Sequence, residues 1–474
     1  MSEEKKLNSG SKLPLGSTIA YSIGSSGANV SFYMINNYLM LFYTDIVTLS
    51  AAAISAIMLI ARIWDAVNDP MMGIIEDRTR TRWGKFRPWL MIGPPFLAIF
   101  NLLTFTAFPL QGATKAIVCG ICYIGAGMAY TVVQVAINGL VNRITNDPQS
   151  KMNVIAIAQI ANQIGQVIIA AVLMPVILHF SSTLGADGAK VADGHGYFMG
   201  TLFVCLVTVP MIWFAAWKCR EVSVDEPATV QKKEKKPLGE SLKLVVKNDQ
   251  LVFSVLSTFL ACVGIIGRYA VLSYYVIYVV GSYTLIAPVF SIMSFAQMIG
   301  NMPLPWLTKK FGKIRVYVVA NLLTSAALVL LFFLSKTPSN AVIIVLSAVI
   351  GFLGASGSIS YSFTCDAVEY GDWKYGIRDD GLAFSIMSFG VKLSQALTGA
   401  IAVPLLVAMG YVANQAQAPA TVNSINALVN IAPAVILVIA MLPILFKYRL
   451  DEPTMAKITA ELTERRAAAA AQEV

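Results

Sequence analysis

Twelve apolar stretches, each long enough to cross a hydrocarbon layer as a helix of about 20 residues, constrain this chain more than any other feature. They fall at approximately 15–43, 49–75, 88–108, 116–140, 154–180, 197–217, 251–280, 283–307, 316–334, 342–364, 381–409 and 425–446. Several exceed the minimum, which implies tilt or curvature. Of 474 residues, 57% are apolar and 13% are charged, against about 25% charged in a soluble domain. A water-soluble fold could not hide that much apolar surface. The expectation is an all-α membrane protein whose twelve transmembrane helices form two six-helix bundles.

Both termini are expected in the cytoplasm. Of the 35 basic residues, only Lys115, Lys190 and Lys336 then fall in outer loops, and only Arg62, Arg268 and Lys392 lie inside spans. That is the asymmetry of the positive-inside rule. It also reads the net charge of +9 as a topology signal, so nucleic acid is not expected as a partner. The polar start, Met1 to Lys6, leads into apolar sequence too long for a signal-peptide core. The six cysteines lie within or at the ends of apolar segments, where small apolar packing is the commoner role.

A polar interruption at 218–250, with Lys232-Lys233-Glu234-Lys235-Lys236-Pro237, divides the chain. It gives an N-terminal bundle over 1–217, a cytoplasmic linker over 218–250, a C-terminal bundle over 251–448 and a cytoplasmic tail over 449–474. The tail from about Glu452 is Ala-rich and charged, and reads as an exposed helix. The halves echo one another. Trp83-Gly84-Lys85-Phe86-Arg87 follows the second span and Phe311-Gly312-Lys313-Ile314-Arg315 the eighth, 228 residues apart. Such an echo points to parallel duplication with a substrate site between the halves.

An ionisable side chain inside a bilayer costs at least about 2.5–3.5 kcal/mol on insertion scales, so each asks for a reason. The second span reads Arg62-Ile63-Trp64-Asp65-Ala66-Val67-Asn68-Asp69-Pro70. Helical geometry sets Asp65 and Asp69 one turn apart, with Arg62 on the same face and Asn68 adding an amide near it. Two carboxylates with neutral oxygen donors suit a monovalent cation, and they suit a shared proton equally. A structural salt bridge from Arg62 would engage one carboxylate and leave the other in low dielectric.

The run from Arg62 to Pro70 closely resembles the second helix of the melibiose carriers. These belong to the glycoside–pentoside–hexuronide:cation symporters of the major facilitator superfamily. Further matches are Thr79-Arg80-Thr81-Arg82-Trp83-Gly84-Lys85-Phe86-Arg87-Pro88-Trp89, Tyr130-Thr131, Lys247-Asn248-Asp249-Gln250, Asp366-Ala367-Val368-Glu369-Tyr370-Gly371 and Gly376-Ile377-Arg378. The resemblance implies a site for Na⁺ or H⁺ formed by Asp65, Asn68, Asp69 and Thr131, with sodium, if it is the coupling ion, at Asp65 and Asp69. No cofactor is expected beyond that ion, and no enzymatic activity.

The sugar positions depart from the pattern. Asn29 and Gln134 stand where the melibiose carriers place acids, Asn138 replaces a stacking Trp, and Gln159 replaces an Arg. Ser388 and Lys392 resemble cavity-facing residues of the eleventh helix. With both acids lost, Arg62, Arg268 and Lys392 outnumber Asp65 and Asp69, which favours a substrate with an anionic group, such as a hexuronide, or a neutral sugar held by amides. Arg268 pinned by helix-end carbonyls is the competing reading. Tyr33 is a candidate stacking ring one turn from Asn29. Arg62, Arg82, Lys85, Asp366, Glu369 and Arg378 are assigned to coupling or to a cytoplasmic charge latch. The expected activity is cation-coupled symport of a sugar or glycoside by a monomer in the bacterial cytoplasmic membrane; the alternative is a carrier of a non-sugar amphiphile or drug.

Overall fold

The computed structural model describes residues 14–145, 147–184, 190–221, 247–335, 339–376 and 380–472. The Lys232–Lys236 run and Arg378 lie outside the described residues. The regular structure of the described residues is helical, apart from isolated bridges at Thr81–Gly84 and Leu184–Lys190. It resolves into two compact units.

The first unit holds α1 (Leu15–Ser31), α2 (Tyr33–Leu41), α3 (Ala51–Arg78), α4 (Arg87–Thr104), α5 (Gly112–Ile144), α6 (Pro148–Phe180) and α7 (Gly194–Lys218), together with residues 276–295 and 400–421. A wide π turn, Phe42–Ile46, follows α2. Small residues let these helices approach closely, as lipid-embedded packing requires. A Cβ added to Gly24 of α1 would lie 2.3 Å from Ala215 Cβ of α7, and one on Gly165 of α6 would lie 2.2 Å from Ser26 Oγ of α1. Leu90, Val133, Ile137, Leu140 and Ile212 are buried in the resulting core. On α3, by contrast, Ile63, Val67 and Ile74 are exposed, an apolar face suited to lipid.

The second unit takes in α8 (Asp249–Tyr274), the end of α9 (Ile286–Asn301) from Ala296 on, α10 (Leu304–Phe311), α11 (Lys313–Leu334), α12 (Asn340–Gly354), α13 (Ile359–Tyr375), much of α14 (Asp380–Ala408) and α15 (Pro419–Phe446), and α16 (Glu452–Gln472). Its core includes Tyr317, Phe363, Ala367 and Ile444. Ile458 and Leu462 of α16 are buried in that same core, which corrects the expectation of an exposed tail. Their four-residue spacing puts both on one helical face, and that face packs on α13. Trp373 Nε1 also donates to Glu461 Oε2 at 2.5 Å.

All twelve expected spans return as helical segments. Ten of them, among the described residues, are long and apolar enough to cross a membrane on those criteria alone. The other two are the first, broken at Phe32 into pieces of 17 and 9 residues, and α4, which begins on Arg87 and has 18.

The sequence echo has a structural counterpart. Gly84 and Gly312 both adopt positive φ, +113° and +88°, a conformation that L side chains rarely enter. Each precedes the start of a helix whose first N–H groups have no intrahelical partner. In the first unit, Glu221 accepts from the N–H groups of Lys85, Phe86 and Arg87 at 2.8, 2.8 and 2.9 Å. In the second, Glu452 accepts from Lys313 N–H at 2.6 Å. Both carboxylates come from the chain just after the last apolar span of their half, and a negative charge at a helix N-terminus is favourable.

Candidate cation and substrate site

The second and fourth spans, α3 and α5, pack together in the first unit and carry the cation candidates on facing sides. Asp65 and Asp69 are one turn apart on α3; Gly127 and Thr131 are one turn apart on α5. Thr131 Oγ1 donates to Asp69 Oδ1 at 3.0 Å. At the other rung, a Cβ added to Gly127 would lie only 3.1 Å from Asp65 Oδ1. A glycine there lets the Asp65 carboxylate approach the α5 backbone. Tyr123, a further turn along α5, is buried within electrostatic reach of Arg62 and Asp65.

Arg62 Nη1 meets Asp65 Oδ2 at 3.2 Å, so the salt bridge weighed from the sequence is present. It coexists with the Thr131–Asp69 bond, leaving the two carboxylates in different surroundings. Asn68 is fully buried between them in sequence, and neither atom of its amide has a hydrogen-bond partner among the described residues. Burying an amide without partners is costly. An amide oxygen so placed is a ready donor for a cation.

The other sequence candidates are placed as follows. In the first unit, half-buried Asn29 donates from Nδ2 to Ser25 O of its own helix at 2.9 Å. Gln134 is half-buried with Oε1 buried and unbonded among the described residues. Asn138 and Gln159 are exposed, and Gln159 Oε1 accepts from Asn162 at 3.5 Å. Tyr33 is buried, its ring 6.5 Å from that of Tyr38. In the second unit, Arg268 is buried on α8, while Lys392 is half-buried and Ser388 exposed on α14.

The latch candidates separate in kind. Arg82 is exposed, its guanidinium 5.3 Å from the Trp83 ring centroid. Lys85 takes part through its backbone N–H in the Glu221 cap. Asp366 is buried and receives Lys313 Nζ at 2.7 and 2.8 Å; Glu369, a turn later, is half-buried.

Sequence reasoning passed over Gly127, Glu221 and Glu452. Gly127 stands four residues before Thr131 as Asp65 stands four before Asp69, a parallel visible without a structure once the two helices are paired. The two glutamates gave no signal of their own.

A family model described as MFS/sugar transport protein matches residues 20–452. The chain belongs to that family. The isoprimeverose transporter of Lactiplantibacillus pentosus is 31% identical over 461 residues, 96% of this chain and 92% of the relative. The glucuronide carrier protein homolog of Escherichia coli (strain K12) is 27% identical over 94% of this chain and 95% of the relative. Among solved structures, the D-xylose-proton symporter superposes with a TM-score of 0.65 at 16% identity, covering 92% of this chain and 97% of that one. The likeness to the glycoside–pentoside–hexuronide:cation symporters falls inside this family, and the chain is a multi-pass membrane protein of the major facilitator fold.

Proposed function

We propose that this chain imports a sugar or glycoside by symport with Na⁺ or H⁺, the ion being held at Asp65 and Asp69. The supporting observation is the double rung between α3 and α5: two carboxylates one turn apart, one bonded to Thr131 and the other against Gly127. The buried Asn68 amide supplies a further neutral oxygen. A cation here offsets the repulsion of the two acids and orders the helix that carries them. Substrate affinity rises with it, and by reciprocity the substrate raises cation affinity by the same factor. The two halves then alternate access to the loaded site.

The substrate class follows from charge. In the second unit α8 carries Arg268 and α14 carries Lys392; in the first, Asn29 and Gln134 are amides where acids would repel an anion. A glycoside bearing a carboxylate fits this set, and the relatives' names include both a glucuronide carrier and an isoprimeverose transporter. Uptake of radiolabelled methyl β-glucuronide and methyl α-xyloside into cells, with an imposed Na⁺ gradient or an acid pulse, tests the reading. Asp69→Cys is expected to abolish accumulation while sparing exchange; full concentrative uptake by that variant would sink the assignment. Equal competition by the glucuronide and its neutral glucoside would remove the preference for an anion.

A further inference from the structure

The first unit contains a buried acid near its outer end that the cation site does not use. Asp45 lies in the π turn Phe42–Ile46 at the end of the first span and is 6% exposed. Its carboxylate accepts from Thr44 Oγ1 at 2.7 Å, from Tyr278 Oη at 2.6 Å and from Tyr411 Oη. The backbone joins in, because Asn414 Nδ2 donates to Asp45 O. Tyr278 and Tyr411 pack edge to face with centroids 5.3 Å apart, and their hydroxyls are 3.3 Å apart. Three segments distant in sequence therefore meet on one carboxylate: the end of the first span, the end of the seventh and the loop between the eleventh and twelfth. With the N-terminus in the cytoplasm, all three lie on the outer face.

Two features set this cluster apart from ordinary packing. Asp45 is the fourth residue of the π turn Phe42–Ile46, and Tyr278 is the fourth residue of the π turn Tyr275–Val279. The acid and its donor thus occupy the same place in the two halves of the duplicated chain, and π turns favour functional positions. Secondly, Asp45 is held by neutral hydroxyls at the tips of long side chains. Water can replace each of those donors when the segments part, so the joint makes and breaks with little net change. A permanent joint in an apolar setting would gain more from apolar side chains of the same volume.

We propose that Asp45, Tyr278, Tyr411 and Asn414 form a releasable outer latch, closed when the outer side of the transporter is sealed and broken once in each cycle. The inference rests on the transport reading for its purpose, and its test separates the two. In a chain whose six cysteines are replaced by alanine, Asp45→Cys and Asn414→Cys are combined and bridged by a short bifunctional thiol reagent. Uptake of radiolabelled methyl β-glucuronide and methyl α-xyloside before the reagent reports on transport alone. The bridge is expected to cut uptake at least tenfold in the double variant, reversibly with reductant, and to leave either single variant unchanged. A bridge that forms without slowing uptake, or a pair that cannot be bridged, overturns the latch. Hydrogen exchange on the purified chain reads the same joint without needing transport. Asp45→Asn is expected to speed exchange at least threefold at residues 275–279 and 409–414 while leaving α3 and α5 unchanged; unaltered exchange there also overturns it.

Discussion

Thr131 donates its hydroxyl proton to Asp69 across the α3–α5 contact, so one carboxylate of the pair is tied to a neighbouring helix by a bond that a hydroxyl alone can make. Hydrogen bonds to charged groups contribute about 1.5–3 kcal/mol. Thr131→Val is therefore expected to raise the cation concentration for half-maximal uptake by roughly tenfold or more. Thr131→Ser keeps the donor and should stay close to the parent. Cation titration of sugar uptake in membrane vesicles measures both.

Gly127 is the corresponding residue at the other rung. A methyl group there would sit 3.1 Å from Asp65 Oδ1, tighter than ordinary contact. Gly127→Ala is expected to displace the carboxylate and weaken cation activation. Gly127→Val should nearly abolish it with the protein still folded. Wild-type activation by cation in the valine variant, in the same vesicle assay, would show that Asp65 has no part in the ion site.

The two glutamate caps differ in load. Glu221 serves three backbone donors and Glu452 one in the bonds described. Losing a cap costs about 0.5–2 kcal/mol, so Glu221→Ala should lower the melting temperature of purified protein more than Glu452→Ala. The reverse order would contradict the assignment.

Asp193 supplies the pH dependence. It caps α7 in the outer loop, accepting from Gly196 N–H at 2.8 Å and from Ser182 N–H at 2.8 Å. Burial acts to raise its carboxyl, but these bonds outweigh burial and hold it at about 2. A free aspartate titrates near pH 3.9. The folded value is depressed, so the stabilisation is complete above about pH 4 and is lost as the pH falls through about 2. Asp193→Ala should cost about 1 kcal/mol at pH 6, and the gap to the parent should close as unfolding is followed toward pH 2.

Much of this molecule was legible in its residues. Apolar length set the spans, basic residues set their orientation, and Asp65 and Asp69 stood out because acids are costly in lipid. Other features were less open to reading. The Phe32 break falls within the first span with no proline or glycine among the four residues on either side to mark it. The burial of α16 rests on Ile458 and Leu462, two apolar residues in an Ala-rich charged stretch whose composition suggests solvent. Asp45 gave no sign of its role, because its donors lie 233 and 366 residues away. Contacts that distant leave no periodic trace.

Glu221 ties the end of α7 to the start of α4, and Glu452 ties the stretch after α15 to the start of α11. Each half thereby closes on itself before the chain moves on. A cut placed after residue 221 would sever neither tie, so two separately made pieces, 1–221 and the remainder, would each carry its own fastening into the membrane.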